Sequence, residues 1–567
     1  MKITKNIARL AVTAGLTAAL SFGCVMAPVT MAFAVEGATT ANGSVTIENV
    51  EGNTTEFKGY QIFRADVATN GTVSNITWAN INVQNAVESF IQVEDESYAG
   101  RTAQDAADWI TKKVEGAGKT TRVEFGSIPY KIADRVDGLT ESVTTTGKTV
   151  SGLEHGYWLF VTDPGTIETG DAGTSPIFTV VGSAPVKITE KTGVPTVEKK
   201  IVSDADGMEH DAADSQIGQD VTYNLYGTVA ENFDKYGTYF YQFSDQISKG
   251  LTLQEGAKVY LYKNRNDAKA DLARKKGTDI TTNFIKSTDT AAEDGSMTTK
   301  WTCDNLKTVK GVTKDSYIVV SYTARINEHA IVAGTESNNN AVILKYSNNP
   351  MDKDSKGQTP PDTVKDYTYG LRINKVDLGT ETKLPNAQFT ITTNGDEKNE
   401  QVKYVDDKGK LSTNEVILKT NGDGVITLTG LDAGVYTVKE VSAPDGYTAV
   451  DPFTFEIRPT MTDDGPAAGL TRVTGELKTS QETKVIAGLN DTSARKVGDN
   501  KLDFKEGTLI NTDDGTFNIT VGDTKQINLP LTGLNGVTFT WIAGGAVLCI
   551  GVAHLIRSRK RDDGSEE

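Results

Sequence analysis

Histidine and cysteine are nearly missing from this sequence. Four histidines in 567 residues, His155, His210, His329 and His554, stand too far apart to suggest a site, which disfavours a histidine-based metal centre or a Ser-His-Asp enzyme. Three cysteines, Cys24, Cys303 and Cys549, give no disulfide framework, because the first and last lie in apolar terminal segments. Cys303 is expected to be buried. Long helical periodicity is also scarce, and its best stretches run from Ala103 to Val114 and from Asp267 to Lys275. Positive charge is outweighed, and a net charge of -17 argues against nucleic acid as a partner. No metal-ligand, nucleophile or paired-carboxylate motif stands out, so no cofactor or metal is implied and the chain does not read as an enzyme.

What is plentiful is glycine, threonine and asparagine in strand-like alternation. Val425-Ile426-Thr427-Leu428-Thr429 after Asn421-Gly422-Asp423-Gly424 is one strand-and-turn example. The length suggests three or four domains. The reading is mostly β, as tandem sandwich modules. Two breaks divide them, Lys187 to Pro195 and a stretch from Asn348 to Thr368 rich in Asp, Lys, Pro and Ser. The expected plan is a signal peptide at 1–34, a first domain at 35–190, a second at 191–350, a linker at 351–368 and a third domain at 369–528.

The two ends read as addresses. Lys2, Lys5 and Arg9 precede an apolar stretch from Leu10 to Val29 and then Ala32-Phe33-Ala34, a small-x-small cleavage pattern that places the mature start near Val35. At the other end, 534–567 carries an apolar run of spanning length, Val537 to Ile556, followed by Arg557, Arg559, Lys560 and Arg561. Before it, at 529–533, stands Leu529-Pro530-Leu531-Thr532-Gly533. Motif, apolar run and basic tail in that order resemble the LPxTG sorting signal of Gram-positive surface proteins. The resemblance implies cleavage after Thr532 by a sortase, with the Thr532 carboxyl passed to an amine. The expected product is secreted and anchored to the cell wall, with the precursor held briefly in the membrane.

Within the strands, charged residues recur on the apolar face. Period two puts Lys375 with Leu371 and Ile373, Lys199 with Val197 and Ile201, Glu440 with Tyr436 and Val438, and Asp245 with Tyr241 and Phe243. Asn340 shares a face with Val342, Leu344 and Tyr346, and Asp523 with Phe517, Ile519 and Val521. Burying an amine and a carboxyl is expensive unless they neutralise each other or react. Burial favours the neutral amine and the protonated acid. A neutral lysine beside an Asn or Asp side chain is a nucleophile beside its electrophile, with the acid to shuttle protons. The product would be an intramolecular isopeptide bond between first and last strands, releasing ammonia from Asn or water from Asp. Periodicity alone leaves an ordinary buried salt bridge open.

Gly434-Val435-Tyr436-Thr437-Val438-Lys439-Glu440 with Ala443-Pro444-Asp445-Gly446-Tyr447 resembles the E-box of the major backbone pilins of Gram-positive sortase-assembled pili. Leu384-Pro385-Asn386-Ala387-Gln388-Phe389 resembles the phrase after the bonding lysine in CnaB-type domains. Phe243-Ser244-Asp245 with Lys249-Gly250-Leu251-Thr252, and Asn340 to Tyr346 with Ser347-Asn348-Asn349-Pro350, resemble the CnaA-like pilin domain. The resemblance implies three tandem immunoglobulin-like domains, with Lys199 bonded to Asn340 under Asp245 as catalyst and Lys375 bonded in the last strand under Glu440. The family more often has Asn at Asp523, so the third partner is Asp523, preferred on strand phase, or Asn511. The first domain reads as unbonded, because Thr162 stands at the E-box acid position and Asn49 at the lysine position.

The polymerising lysine implied by the family is Lys191, eight residues before Lys199 and exposed by alternation with Val186 and Ile188. Its surroundings, Thr189-Glu190-Lys191-Thr192, depart from the family's Tyr-Pro-Lys-Asn, and Lys187 is the second candidate. The implied function is a pilus shaft subunit. A pilus-specific class C sortase would join Thr532 to Lys191 of the next identical subunit, and a housekeeping sortase would attach the chain to peptidoglycan. Minor pilins and a host surface would be further partners. The alternative is a monomeric wall-anchored adhesin binding a host ligand.

Overall fold

The computed structural model describes residues 42–526 apart from 50–52, 69–72, 117–122, 124, 141–142, 146–148, 190–192, 333–336, 395–401, 463–464, 466–467, 481–483, 488–500 and 505–515. Strands dominate it, and six sheets fall into three successive pairs. In the first pair, Gly43–Glu48 lies between Thr149–Leu153 and Val186–Thr189, facing a five-stranded sheet built on Phe57–Val67, Gly156–Thr162 and Ile177–Val181. Val45, Ile47, Phe57, Trp158, Phe160 and Ile188 close the space between these sheets.

The larger sheet is covered on its other face by three helices, Ile81–Glu94, Ala103–Gly116 and Ile128–Val136. Sequence periodicity points to the second of these; the first and third go unforeseen. Asn80 caps the first by accepting the N–H groups of Asn82 and Val83, and Val83, Val87, Phe90 and Ile91 form its buried stripe. Gly156–Thr162 is buried along its whole length because sandwich and helices cover opposite faces. The first unit is thus a sandwich with a helical layer added. The stretch from Asp267 to Lys275 is helical only within Arg265–Ala270, after which Arg274 takes a positive φ of 53°.

The second pair is two seven-stranded sheets face to face. One runs through Val197–Val202, Asp220–Thr228 and Tyr317–Ile326; the other through Asp362–Tyr367, Asn338–Ser347, Tyr241–Ile247 and Met297–Cys303. Tyr223, Leu225, Tyr241, Phe243, Trp301, Val320, Tyr322, Val342 and Leu344 pack between them, and Cys303 is buried there. Residues 351–368, expected to be a linker, contain the strands Lys356–Gln358 and Asp362–Tyr367, both paired to Asn338–Ser347. The composition misleads because Pro360 and Pro361 sit between the two strands and Lys365 lies on the half-exposed face of Asp362–Tyr367, while Val364 still reaches the core. It follows that Asn340 lies beside the last strand of this unit and not in it.

The third pair has a five-stranded sheet around Tyr369–Asp377 and an eight-stranded sheet around Gln388–Asn394, Gly434–Ser442, Phe453–Thr462 and Gly469–Lys478. Tyr369–Asp377 pairs in parallel with Thr516–Lys525, so the first and last described strands of the unit are neighbours. Among the described residues no helix is long and apolar enough to cross a membrane; the signal peptide, the sorting motif Leu529 to Gly533 and the 534–567 segment lie outside them.

Second and third units dock through Gln216 and Ile217. Ile217 N–H donates to the Gly430 carbonyl at 2.8 Å, and a Cβ on Gly430, φ 76°, would sit 2.0 Å from the Ile217 side chain. Behind this contact Asp366 is fully buried, accepting from Ser215 Oγ at 3.2 Å and Tyr223 Oη at 3.1 Å, with Asp214 nearby. Burial above all, then the like charges of Asp214 and Asp204, pushes the Asp366 carboxyl up to about 8. A carboxyl raised on folding stabilises fully below the unfolded value near pH 4, and this contribution is lost as pH rises toward 8. Asp366→Asn is therefore expected to stabilise the second unit by about 5 kcal/mol at pH 8 and by little at pH 4. Urea midpoints at the two pH values check it; equal gains at both would contradict the assignment.

Candidate functional site

Two buried lysines organise the two candidate sites. In Val197–Val202 the inward positions are Lys199 and Ile201, and in Tyr369–Asp377 a central strand buries Lys375 beside Ile373. Both lysine side chains are 0% exposed, a position a lone ammonium does not hold. The carboxyl and amide residues expected opposite them are all buried: Asp245, Asn340, Glu440 and Asp523. Strand alternation therefore placed every one of these side chains on the correct face.

In the second unit, three strands from two sheets converge. Lys199 Nζ donates to Asp245 Oδ1 in a very short contact and to Asn340 Oδ1 at 2.5 Å. Its backbone N–H is held by Asp362 Oδ2 at 2.6 Å, which fixes the strand beside the sheet seam. The rings of Tyr223 and Tyr322 flank the amine at 5.6 and 5.5 Å, and Trp301 stacks on Tyr322 at 5.5 Å. Burial lowers Lys199 to about 8 despite the opposing pull of Asp245, which makes the neutral amine accessible. A nucleophile, an amide and an acid thus meet in a dry, aromatic-walled space.

Tyr322 was not singled out from the sequence. Its strand, Tyr317–Ile326, reads as apolar alternation, and Tyr322 sits in phase with Ile318, Val320 and Ala324 as an ordinary core aromatic. Only the packed structure shows its hydroxyl among the polar groups. Tyr322 O–H donates to Asp245 Oδ2 at 2.5 Å, and the hydroxyl oxygen accepts from Asn340 Nδ2 at 2.7 Å and Lys199 Nζ at 3.1 Å.

In the third unit, Lys375 Nζ donates to Glu440 Oε2 at 2.9 Å and to Asp523 Oδ1 in a very short contact. The Val450 backbone N–H also donates to Glu440 Oε2, at 3.0 Å, and the Phe389 ring lies 5.6 Å from the amine. Glu440 Oε1 and Asp523 Oδ2 are buried with no hydrogen-bond donor. One proton held between the two acids would satisfy both. Consistent with that, burial first and then Glu440 raise Asp523 to about 6, against the lowering pull of Lys375. Asn511, the alternative partner of Lys375, lies outside the described residues.

The first unit differs. Among its described residues no lysine is buried. Thr162, at the acid position, accepts the Thr174 N–H at 3.0 Å, and Asn49, at the lysine position, donates its amide to the Thr55 carbonyl at 3.0 Å. Lys187 is exposed and pairs with Glu48 at 2.7 Å, while Lys191 lies outside the described residues.

The SpaA prealbumin-like fold domain matches residues 370–465, a stretch that includes Lys375 and Glu440. The trypsin-resistant surface T6 protein of Streptococcus pyogenes serotype M6 is 27% identical over 278 residues, which are 42% of this chain and 48% of that protein. The chain thus spans about half the length of that relative. Among solved structures, the T6 backbone pilin of the same serotype aligns at 18% identity and a TM-score of 0.48 over 85% of this chain and 98% of that one. The full-length major pilin SpaD of Corynebacterium diphtheriae aligns at 16% identity and 0.41 over 86% and 98%, and the major pilin BcpA of Bacillus cereus at 14% and 0.36 over 85% and 99%.

Proposed function

We propose that the chain is the backbone subunit of a covalently assembled surface pilus, hardened by autocatalytic Lys199–Asn340 and Lys375–Asp523 isopeptide bonds. The observation that carries the reading is the pair of fully buried lysines, each in contact with an acid and with an amide or carboxyl electrophile. In each set the acid takes a proton from the lysine, the neutral amine attacks the side-chain carbonyl carbon, and ammonia or water departs. Water exclusion by the core protects the tetrahedral intermediate and strengthens the electrostatics around it. The chain acts on itself once and turns over no external substrate.

Assembly is the work of other proteins. A pilus-specific sortase would cleave after Thr532 and pass its carboxyl to Lys191 of the next subunit, and a housekeeping sortase would hand the finished polymer to peptidoglycan. A head-to-tail contact of this kind does not close, so it yields a filament. Lys191 is preferred because Lys187 is built into the strand Val186–Thr189 and ion-paired with Glu48. The producing bacterium should show a regular ladder of SDS-resistant multimers that Lys191→Ala collapses to monomer and Lys187→Ala leaves intact. A single monomer band from the unaltered chain would favour the wall-anchored adhesin, and collapse by Lys187→Ala alone would move the acceptor to that residue.

A further inference from the structure

We infer that Tyr322 is a catalytic residue of the second unit's crosslinking reaction, serving as the relay that protonates the departing nitrogen of Asn340. This inference rests on the proposed Lys199–Asn340 bond. Asp245 touches Lys199 Nζ through Oδ1, whereas the amide nitrogen that must leave is contacted by Tyr322 Oη at 2.7 Å. Tyr322 in turn reaches Asp245 Oδ2 at 2.5 Å. The hydroxyl therefore bridges the acid and the leaving group.

The chemistry requires such a bridge. An amide nitrogen delocalises its lone pair and donates hydrogen bonds, as Asn340 Nδ2 does toward Tyr322. Once Lys199 Nζ adds to the amide carbon, that nitrogen becomes tetrahedral and its lone pair is free to accept. The hydrogen bond reverses, and Tyr322 can donate along the same short path. Two protons leave Nζ in the overall reaction. The first passes to Asp245 and stays there as the acid's proton. The second enters Asp245 at Oδ1 while the carboxyl gives a proton to Tyr322 and Tyr322 gives its own to Nδ2. The amine pair forms the new C–N bond, the carbonyl pair moves to Oδ1 and returns, and ammonia leaves with the old C–N pair. Products are one secondary amide, one ammonia, a neutral Asp245 and an unchanged Tyr322. Burial and the adjacent Asp245 raise the phenol well above its usual value, so it stays protonated and ready to donate.

The third unit supplies a comparison within the same chain. Its electrophile is the carboxyl of Asp523, its leaving group is water, and the described groups against its amine are Glu440, Asp523 and the Phe389 ring, with no phenol among the described residues. There Glu440 and Asp523 each keep one buried oxygen, Oε1 and Oδ2, without a hydrogen-bond partner, and the two carboxyls interact with each other directly, with no residue between them to relay a proton among the described residues. A hydroxyl relay accompanies the site that must expel ammonia, and among the described residues none accompanies the site that expels water.

The test uses the full chain made by cell-free synthesis, sampled over time, with both crosslinked peptides quantified by mass spectrometry. Tyr322→Phe should slow Lys199–Asn340 formation by about 100-fold, the scale of one lost proton-transfer group. The Lys375–Asp523 bond in the same molecules should form at the unaltered rate, which reports that the chain folds. In an Asn340→Asp background, where water leaves, Tyr322→Phe should slow the reaction by less than about 10-fold. Equal slowing in both backgrounds would reduce Tyr322 to a packing role and overturn the relay, as would an unchanged rate with Asn340 present. If Tyr322→Phe disturbs folding, 3-fluorotyrosine at 322 keeps the shape and the hydroxyl while making it a stronger acid. A severalfold faster bond supports the relay and an identical rate overturns it. An unaltered chain that never forms the Lys199–Asn340 bond would instead remove the bond itself.

Discussion

Asp245→Ala will leave Lys199 and Asn340 as separate side chains, so the second unit will be heavier by one ammonia than its crosslinked counterpart apart from the substitution itself. The same change will lower its thermal midpoint by about 15 °C or more. Two effects combine. The residues of the proposed bond are 141 apart in sequence, and a crosslink closing a loop of that length would remove denatured-state entropy equivalent to about 5 kcal/mol. Removing the acid also strands Lys199, fully buried, without its counter-charge, and breaking a buried pair in this way costs about 3–5 kcal/mol. The terms overlap, because the strained amine will draw water or shed its proton, so the total falls short of their sum. Intact mass, peptide mapping and a melt of the variant check both parts. An unaltered chain found at the uncrosslinked mass would reject the bond and leave an ordinary buried salt bridge.

In the third unit, Asp523→Ala will abolish the link to Lys375, whereas Asp523→Asn will restore the mature mass of the natural chain. The second result follows from the products, since Asn loses ammonia and Asp loses water to give the same amide. A crosslink surviving Asp523→Ala would move the partner to Asn511. The stability loss in Asp523→Ala is again about 5 kcal/mol, for residues 148 apart. The mechanical loss should be larger in kind. Tyr369–Asp377 and Thr516–Lys525 run in parallel, with Asp377 opposite Asp523, so tension on the two ends of the unit shears one strand along the other. The proposed bond from Lys375 to Asp523 would carry that load directly and bypass the loops between. Pulling experiments on the full chain should show the third unit as inextensible, and Asp523→Ala should add an unfolding event there.

The second unit takes load differently. Asn340 lies in Asn338–Ser347, and the chain continues through Lys356–Gln358 and Asp362–Tyr367 before leaving the unit. The proposed Lys199–Asn340 bond would join the two sheets across the core and leave the final strand to hydrogen bonding. Under force this last strand is the part that can yield, next to the contact of Ile217 with Gly430.

Much of this was legible before any coordinates. Period-two alternation put Lys199, Lys375, Asp245, Glu440, Asn340 and Asp523 inward, because the direction of a side chain on a strand is a local property. The strand-rich composition is an equally local signal, and it matches the mostly β architecture. Other features depend on which distant segments meet. The Asn80 cap and the Val83, Val87, Phe90 and Ile91 stripe were readable in principle, but strand-like surroundings concealed a helical layer that exists to cover one sheet face. Residues 351–368 look like a linker because Pro360 and Pro361 interrupt two short strands, and only pairing to Asn338–Ser347 reveals them as strands. Tyr322 is the sharpest case. The sequence determined that an aromatic side chain points into the core at this position, and tertiary packing alone decided that its hydroxyl meets Asp245, Lys199 and Asn340. Alternation fixes a face, whereas the meeting of four side chains from four strands is set by how two sheets stack.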